Sequence, residues 1–189
     1  MPTTQAAEGL PRLRWDVADF DRLIETGVLS EDDRVELIWG ELVPMAAKGN
    51  RHEVVCGAVH NWLRRHLPDE FDYHPEPGWR AGGTHYFEPD FVIGRAGFQR
   101  TSVAPEDVLL LIEVAQTSLR FDTTTKANVY ASFGVREYWV INAETLETRV
   151  HRQPSSQGYQ DVVNVRPGDV LMPTLIVPLC LKLGDLGIA

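Results

Sequence analysis

Residues 108–126 constrain this chain more than any other stretch. Val108, Leu109, Leu110, Leu111 and Ile112 are five consecutive apolar residues, the pattern of a strand buried on both faces. The run ends in a carboxylate, Glu113. A polar connection follows, then a helix for which Asp122 is the expected N-cap. On that helix Lys126, Val129, Tyr130 and Phe133 fall at i, i+3, i+4 and i+7. Lys126 therefore sits inside the apolar stripe rather than on the wet face. The same reading puts it in the first helical turn, where the dipole disfavours a cation. A lysine misplaced on both counts requires an anionic partner. The nearest candidate is a carboxylate at the end of a neighbouring strand.

The chain has 189 residues, enough for one domain with a full core. Its net charge is −9 and its pI about 5.1. Those values exclude a protein held on nucleic acid mainly by a broad basic surface. They do not exclude an enzyme that meets phosphates through a metal and a local cluster of Arg and Lys. The two cysteines, Cys56 and Cys180, form no CxxC and read as reduced, mostly buried thiols. No apolar signal-peptide core stands near the start, and the longest apolar run, residues 175–181, contains Pro178. A soluble, cytoplasmic protein with no membrane partner is expected.

Along the chain, residues 1–13 read as a flexible N-terminal tail and 14–189 as a single domain. A short helix is expected over Asp16 to Thr26, with Val17, Phe20, Leu23 and Ile24 as its apolar face and Gly27 as its stop. Arg34 to Trp39 and Glu41 to Pro44 read as a hairpin about Gly40. A longer helix over Arg51 to Leu67 ends at Pro68, with Val55, Val59, Trp62, Leu63 and His66 facing inward and His52 on the edge. Strands are expected at Phe71 to Pro75, Trp79 to Ala81, Tyr86 to Ile93, Glu137 to Asn142, Thr148 to Arg152 and Tyr159 to Val165. The order indicates an α/β or α+β fold with a mixed sheet. A crossover helix between the focal strand and Glu137–Asn142 makes those two strands parallel.

Three acids stand out by position. Asp90 follows Pro89 within an expected strand, Glu113 closes the buried strand, and Glu36 lies in the otherwise apolar run Val35 to Trp39. A buried carboxylate is costly unless paired or bound to a metal. Two at adjacent strand ends beside an inward lysine suit Mg²⁺, which takes carboxylates, waters and substrate phosphate. The lysine would then orient or deprotonate the attacking water, or stabilise charge on the phosphorane.

Asp90 stands twenty-three residues before Glu113 (113 − 90) in the pattern Pro-Asp … Glu-x-x. In this the chain resembles the PD-(D/E)xK nuclease superfamily, and most closely its Uma-type restriction endonuclease branch. The matching stretches are residues 34–43, 51–52, 88–91, 112–122 and 134–142, with Lys126 and Tyr130. The superfamily's lysine stands two residues after the acid, where this chain has Ala115; in the Uma-type branch it has moved to the following helix, here Lys126. The resemblance implies a restriction-endonuclease-like mixed β-sheet flanked by helices. It also implies a Mg²⁺-dependent endonuclease, with Mn²⁺ as substitute, hydrolysing phosphodiester bonds in DNA. By the same resemblance Asp90 and Glu113 bind the metal with the Val114 carbonyl as third ligand. Lys126 acts on the water, Glu36 is an accessory acid, and Gln116, His52 and Asp122 line the site. Nucleases of this kind often work as homodimers.

Simpler readings stand beside these. Asp90 forms a turn or pairs with Arg95; Glu113 and Lys126 form a purely structural ion pair; Glu36 pairs with Arg34; Lys126 snorkels to water. His52, Cys56 and His60 share a helix face at i, i+4 and i+8, but a zinc site lacks its fourth ligand and the apolar stripe claims Cys56. The main rival function is a non-catalytic binding or scaffold module of the same fold. A hydrolase of another phosphate ester is the third.

Overall fold

The structure is a computed structural model that describes residues 13–30 and 33–188. The expected tail lies outside the described residues apart from Leu13. Helix α1 (Val17–Glu25) opens with a capping box in which Asp16 and Asp19 each accept the other's backbone N–H, and buries Phe20. Strands β1 (Val35–Ile38) and β2 (Glu41–Pro44) form the expected hairpin. Its two turn residues, Trp39 and Gly40, have φ of 50° and 75°, as the hairpin twist requires. Helix α2 (Asn50–His66) follows and buries His52, Val55, Val59 and Leu63. His66, expected inside, is exposed and stacks on Trp62; His52, expected at the edge, is buried.

The reading of one strand over residues 86–93 needs correction. The chain forms β3 (Phe71–Pro75), β4 (Trp79–Arg80), β5 (Tyr86–Phe87) and β6 (Phe91–Arg95), and residues 88–90 pass between two sheets. Pro89 has no N–H to give to a ladder, so pairing stops there. The smaller sheet has the order β2-β1-β5-β4. The larger sheet adds β7 (Leu110–Ala115), β8 (Glu137–Asn142), β9 (Thr148–Ser155) and β10 (Gly158–Val165), in the order β10-β9-β8-β7-β6-β3. β7 and β8 are parallel as expected, and every other pair is antiparallel. β7 runs two residues past Glu113, so Glu113 lies within the strand rather than at its end.

Both faces of the larger sheet are covered, which is why β7 is apolar on both. Leu110, Ile112 and Val114 pack against Val55, Val59 and Leu63 of α2. Leu111 and Ala115 point the other way, into a core with Val129 and Tyr130 of the crossover helix and Ile38, Trp79 and Phe87 of the smaller sheet. Each fully buried Leu or Ile contributes roughly 1.5–3 kcal/mol. Among the described residues, no helix is long and apolar enough to cross a membrane.

One core histidine gives the fold an acid-sensitive limb. His151 on β9 is buried, with ring centroids 5.4 Å from those of Tyr138 and Tyr159, and its Nε2 has no partner among the described residues. Burial, and then the charge of Arg149, push the imidazole from 6.5 down to about 4. Between those values the unfolded chain binds a proton that the native state refuses. Stability present above pH 6.5 is therefore lost as pH falls through 4, by at most about 3 kcal/mol. His151→Phe keeps the stacking and removes the titration, so urea unfolding at pH 7 and pH 4.5 should show a smaller acid loss than wild type. An unchanged loss would place the acid sensitivity elsewhere.

Candidate active site

Where β6 and β7 part, three buried carboxylates, Glu36, Glu113 and Asp122, converge on the buried ammonium of Lys126, and a fourth, Asp90, stands beside them. The β6–β7 register pairs Phe91 with Ile112, so its next step sets Asp90 opposite Glu113. Directly opposed antiparallel residues share a face, with Cβ atoms about 5 Å apart. Asp90 replaces the lost ladder with its side chain: Val114 N–H donates to Asp90 Oδ2 at 2.7 Å. N–H and C=O of one strand residue point the same way, so the Val114 carbonyl also faces the gap beside Asp90.

Lys126 reaches this gap from a helix that begins one turn earlier than expected. That helix, α3, spans residues 119–132 as Leu119–Phe121, a π-helical turn Asp122–Lys126, and Ala127–Ser132. Thr123 and Thr124 donate their hydroxyls to the carbonyls of Leu119 and Arg120 at 2.6 Å, competing with the regular ladder at the π turn. Two expectations change. Asp122 is not the N-cap; it is buried inside the helix, accepts the Ser118 hydroxyl and faces Lys126. Lys126 is beyond the first turn, so its need for a partner comes from burial and not from the dipole.

Lys126 Nζ donates to Glu36 Oε1 at 2.9 Å and Glu113 Oε1 at 3.0 Å, with Asp122 Oδ1 at 3.9 Å. Glu36 also accepts the Glu88 N–H at 3.2 Å, which ties β1 to the chain entering Asp90. Glu113 Oε1 takes a further bond from the Tyr130 hydroxyl at 3.0 Å; among the described residues no hydrogen bond falls on its Oε2. The simple pairings Asp90–Arg95 and Glu36–Arg34 do not form among the described residues. Lys126 does not snorkel, being only 5% exposed.

The charge is unbalanced. Glu36, Asp90, Glu113 and Asp122 are all buried, and Lys126 is the buried ammonium among them. Burial pushes the Glu113 carboxyl well above its ordinary value; Lys126 opposes this, but Asp90, Asp122 and Glu36 add to it. Burial likewise raises Asp122, against Lys126 and the Ser118 hydroxyl. For Lys126 burial works against the charge, and Glu113, Glu36 and Asp122 outweigh it, so the side chain stays a cation. A site with surplus buried anions is one that a divalent cation would stabilise.

The cleft over these groups holds about 70 Å³ and is lined also by Arg34, Lys48, His52, Val114 and Gln116. Pockets for drug-sized ligands are roughly 300–1,000 Å³, so this one suits an ion and a phosphate group. His52 Nε2 lies 3.1 Å from Asp90 Oδ1; burial lowers its affinity for a proton, but the Asp90 hydrogen bond and charge raise it more. Gln116 accepts the His52 N–H at 3.3 Å and donates to Glu144 at 2.9 Å, fastening the start of α2 beside β7. Arg34 was missed as a site residue. It is half-buried on the cleft wall, and its guanidinium's one hydrogen bond among the described residues goes to Met45 Sδ at 3.9 Å. Its sequence signals were its place two residues before Glu36 and at the head of the matching stretch 34–43.

The sequence model of Uma2, described as "Putative restriction endonuclease", matches residues 17–184. The chain belongs to the Uma2 family. Its fold is shared by a solved protein, the crystal structure of a "putative nuclease belonging to DUF820" from Anabaena variabilis. The two superpose with a TM-score of 0.67 at 17% identity, over 87% of this chain and 96% of that one. No curated protein matches the sequence. For this Uma2 protein the restriction-endonuclease-like mixed sheet expected from the sequence is therefore the observed fold.

Proposed function

We propose that this Uma2 protein is a Mg²⁺-dependent endonuclease that hydrolyses phosphodiester bonds in DNA. The observation that carries this reading is the opposition of Asp90 and Glu113 at the mouth of an open cleft, with Lys126 held charged beside them. Asp90, Glu113 and the Val114 carbonyl form an all-oxygen donor set, which fits Mg²⁺ and accepts Mn²⁺. Magnesium, when bound, supplies Lewis-acid polarisation of the phosphoryl group and acidifies the attacking water.

The chain's own residues do the rest. Because three carboxylates hold Lys126 protonated, it serves as a donor that orients water and offsets negative charge on the phosphorane, not as a base. Glu36 holds the ammonium together with Glu113. Arg34, with no carboxylate partner among the described residues, is the group placed to grip a phosphate oxygen. Such local contacts suit an acidic protein better than a broad basic face. Two free thiols fit the reducing cytoplasm.

The test is supercoiled plasmid with purified protein in Mg²⁺, in Mn²⁺ and in EDTA, alongside calorimetric titration of each metal. Nicking in either metal and none in EDTA is expected. Metal binding with turnover of a small phosphodiester but not of DNA would move the substrate assignment. Neither binding nor cleavage would leave a scaffold of the same fold, with Lys126–Glu113 as a buried ion pair.

A further inference from the structure

Asp90 has a second set of neighbours, on the α2 side, that the proposed cleavage chemistry does not use. His52 and Cys56 stand one turn apart on α2, and the ligand atoms of His52, Cys56 and Asp90 all lie within 4.8 Å of one another. We propose that His52, Cys56 and Asp90 form a second metal site, selective for a zinc-class cation and joined to the oxygen-lined cleft through Asp90.

The distances bring three donors together. His52 Nε2 is 3.1 Å from Asp90 Oδ1, and Cys56 Sγ is 3.7 Å from the His52 ring nitrogens. A tetrahedral zinc with bonds of about 2.3 Å to sulfur and 2.0–2.1 Å to nitrogen and oxygen has edges of about 3.3 Å between N and O and about 3.6 Å between N and S. The N–O and N–S separations are close to those edges, but Cys56 Sγ stands 3.7 Å from both ring nitrogens, so a metal on Nε2 requires the Cys56 side chain to swing toward that nitrogen. Each donor residue is also held in place independently. His52 and Cys56 are on one rigid helix, and Asp90 is pinned by the Val114 N–H at 2.7 Å. The Glu53 carboxylate lies 3.6 Å from His52 Nδ1, the nitrogen that a ligating Nε2 leaves for an outer anion.

The sequence showed His52, Cys56 and His60 on one helix face but offered nothing to complete them; the missing donor comes from 34 residues beyond Cys56 (90 − 56). A cavity of about 170 Å³ lined by Cys56, His60, Glu76 and Asp90 opens beside two of the three donors and leaves room for a fourth ligand. Thiolate and imidazole select zinc, cobalt or copper over magnesium, whereas the Asp90–Glu113–Val114 set selects the reverse. On binding, the Cys56 thiol gives up its proton to solvent as the metal–sulfur bond forms, with no change of oxidation state.

Cobalt(II) reports this site without any nuclease assay. Titrating the full chain with Co²⁺ is expected to produce visible d–d bands and a near-ultraviolet sulfur-to-cobalt band, saturating at one equivalent and erased by Zn²⁺ but not by excess Mg²⁺. Cys180→Ser should leave the spectrum unchanged. Cys56→Ser should lose the sulfur band, and His52→Ala, which removes a direct ligand, should weaken binding by more than the roughly 10–100-fold that loss of an outer partner costs. Wild-type protein with no sulfur band, or a band that survives in Cys56→Ser, overturns the proposal even if the protein cleaves DNA. Circular dichroism of each variant separates a lost ligand from a lost fold.

Discussion

Asp90→Asn is expected to reduce metal-dependent cleavage on the order of 10³-fold while the protein stays folded. The magnitude follows from losing one charged ligand: several kcal/mol of transition-state stabilisation, at 1.36 kcal/mol per factor of ten. The retained fold follows from geometry. Asparagine keeps an oxygen for the Val114 N–H, so the strand end that Asp90 closes stays closed. Its amide NH₂ then faces His52 Nε2, which can accept in one imidazole tautomer. The variant therefore separates two roles that the same carboxylate could play. If Asp90 serves only to anchor the end of β6, the asparagine does the same work and cleavage barely changes. If it holds the cation, thermal unfolding in EDTA matches wild type within a degree or two while single-turnover cleavage collapses. Cleavage within tenfold of wild type would sink the metal-ligand assignment.

That test can be framed because most of the site was legible in the sequence, for reasons that can be named. β7 is covered on both faces, so its unbroken apolar run identified it and made Glu113 conspicuous. Lys126 was found by helical spacing, since a charge inside an apolar stripe is visible whatever the exact start of the helix. What could not be read depends on contacts distant in sequence or on backbone choices that side-chain pattern does not specify. The π turn at residues 122–126 is one example: threonine hydroxyls capture the carbonyls of the preceding turn there, and Asp122 becomes a buried neighbour of Lys126 in place of a cap. The break at residues 88–90 is another. Apolar residues continue on either side of Pro89, so the run reads as one strand although it crosses between sheets. His52 was placed at the edge because helical periodicity knows nothing of Asp90, the residue that makes its burial tolerable. Arg34 stood out least, since a half-buried arginine on a cleft wall looks in sequence like any strand-flanking charge.

Lys126→Met is expected to lower stability by about 3–5 kcal/mol at pH 7, the usual cost of removing one partner from a buried ion pair. Methionine fills much of the lysine's volume, so packing changes little and the loss is electrostatic. Glu36, Glu113 and Asp122 are left facing each other with no cation among them. In the wild type Lys126 is held protonated more firmly than in the unfolded chain, so its contribution is fully present below pH 10.5 and is lost only as pH rises through its higher folded value. At pH 7 that contribution is intact, and the variant lacks all of it. The carboxylates then set the pH dependence. Glu113 is already pushed above 4.5 by burial, and without Lys126 it rises further. A raised carboxyl pKa means that the native state keeps a proton the unfolded chain has released. The Glu113 contribution is thus most favourable below about pH 4.5 and is lost as pH climbs through the folded value of Glu113. Urea unfolding of both proteins at pH 7 and pH 5 should show a deficit that shrinks on acidification. Mg²⁺ should restore part of it at pH 7, because a cation that binds only the native state stabilises it by mass action. A deficit that is the same at both pH values and indifferent to Mg²⁺ would mean that Lys126 matters for its packing, and that the surplus of buried anions is not what draws a metal to this cleft.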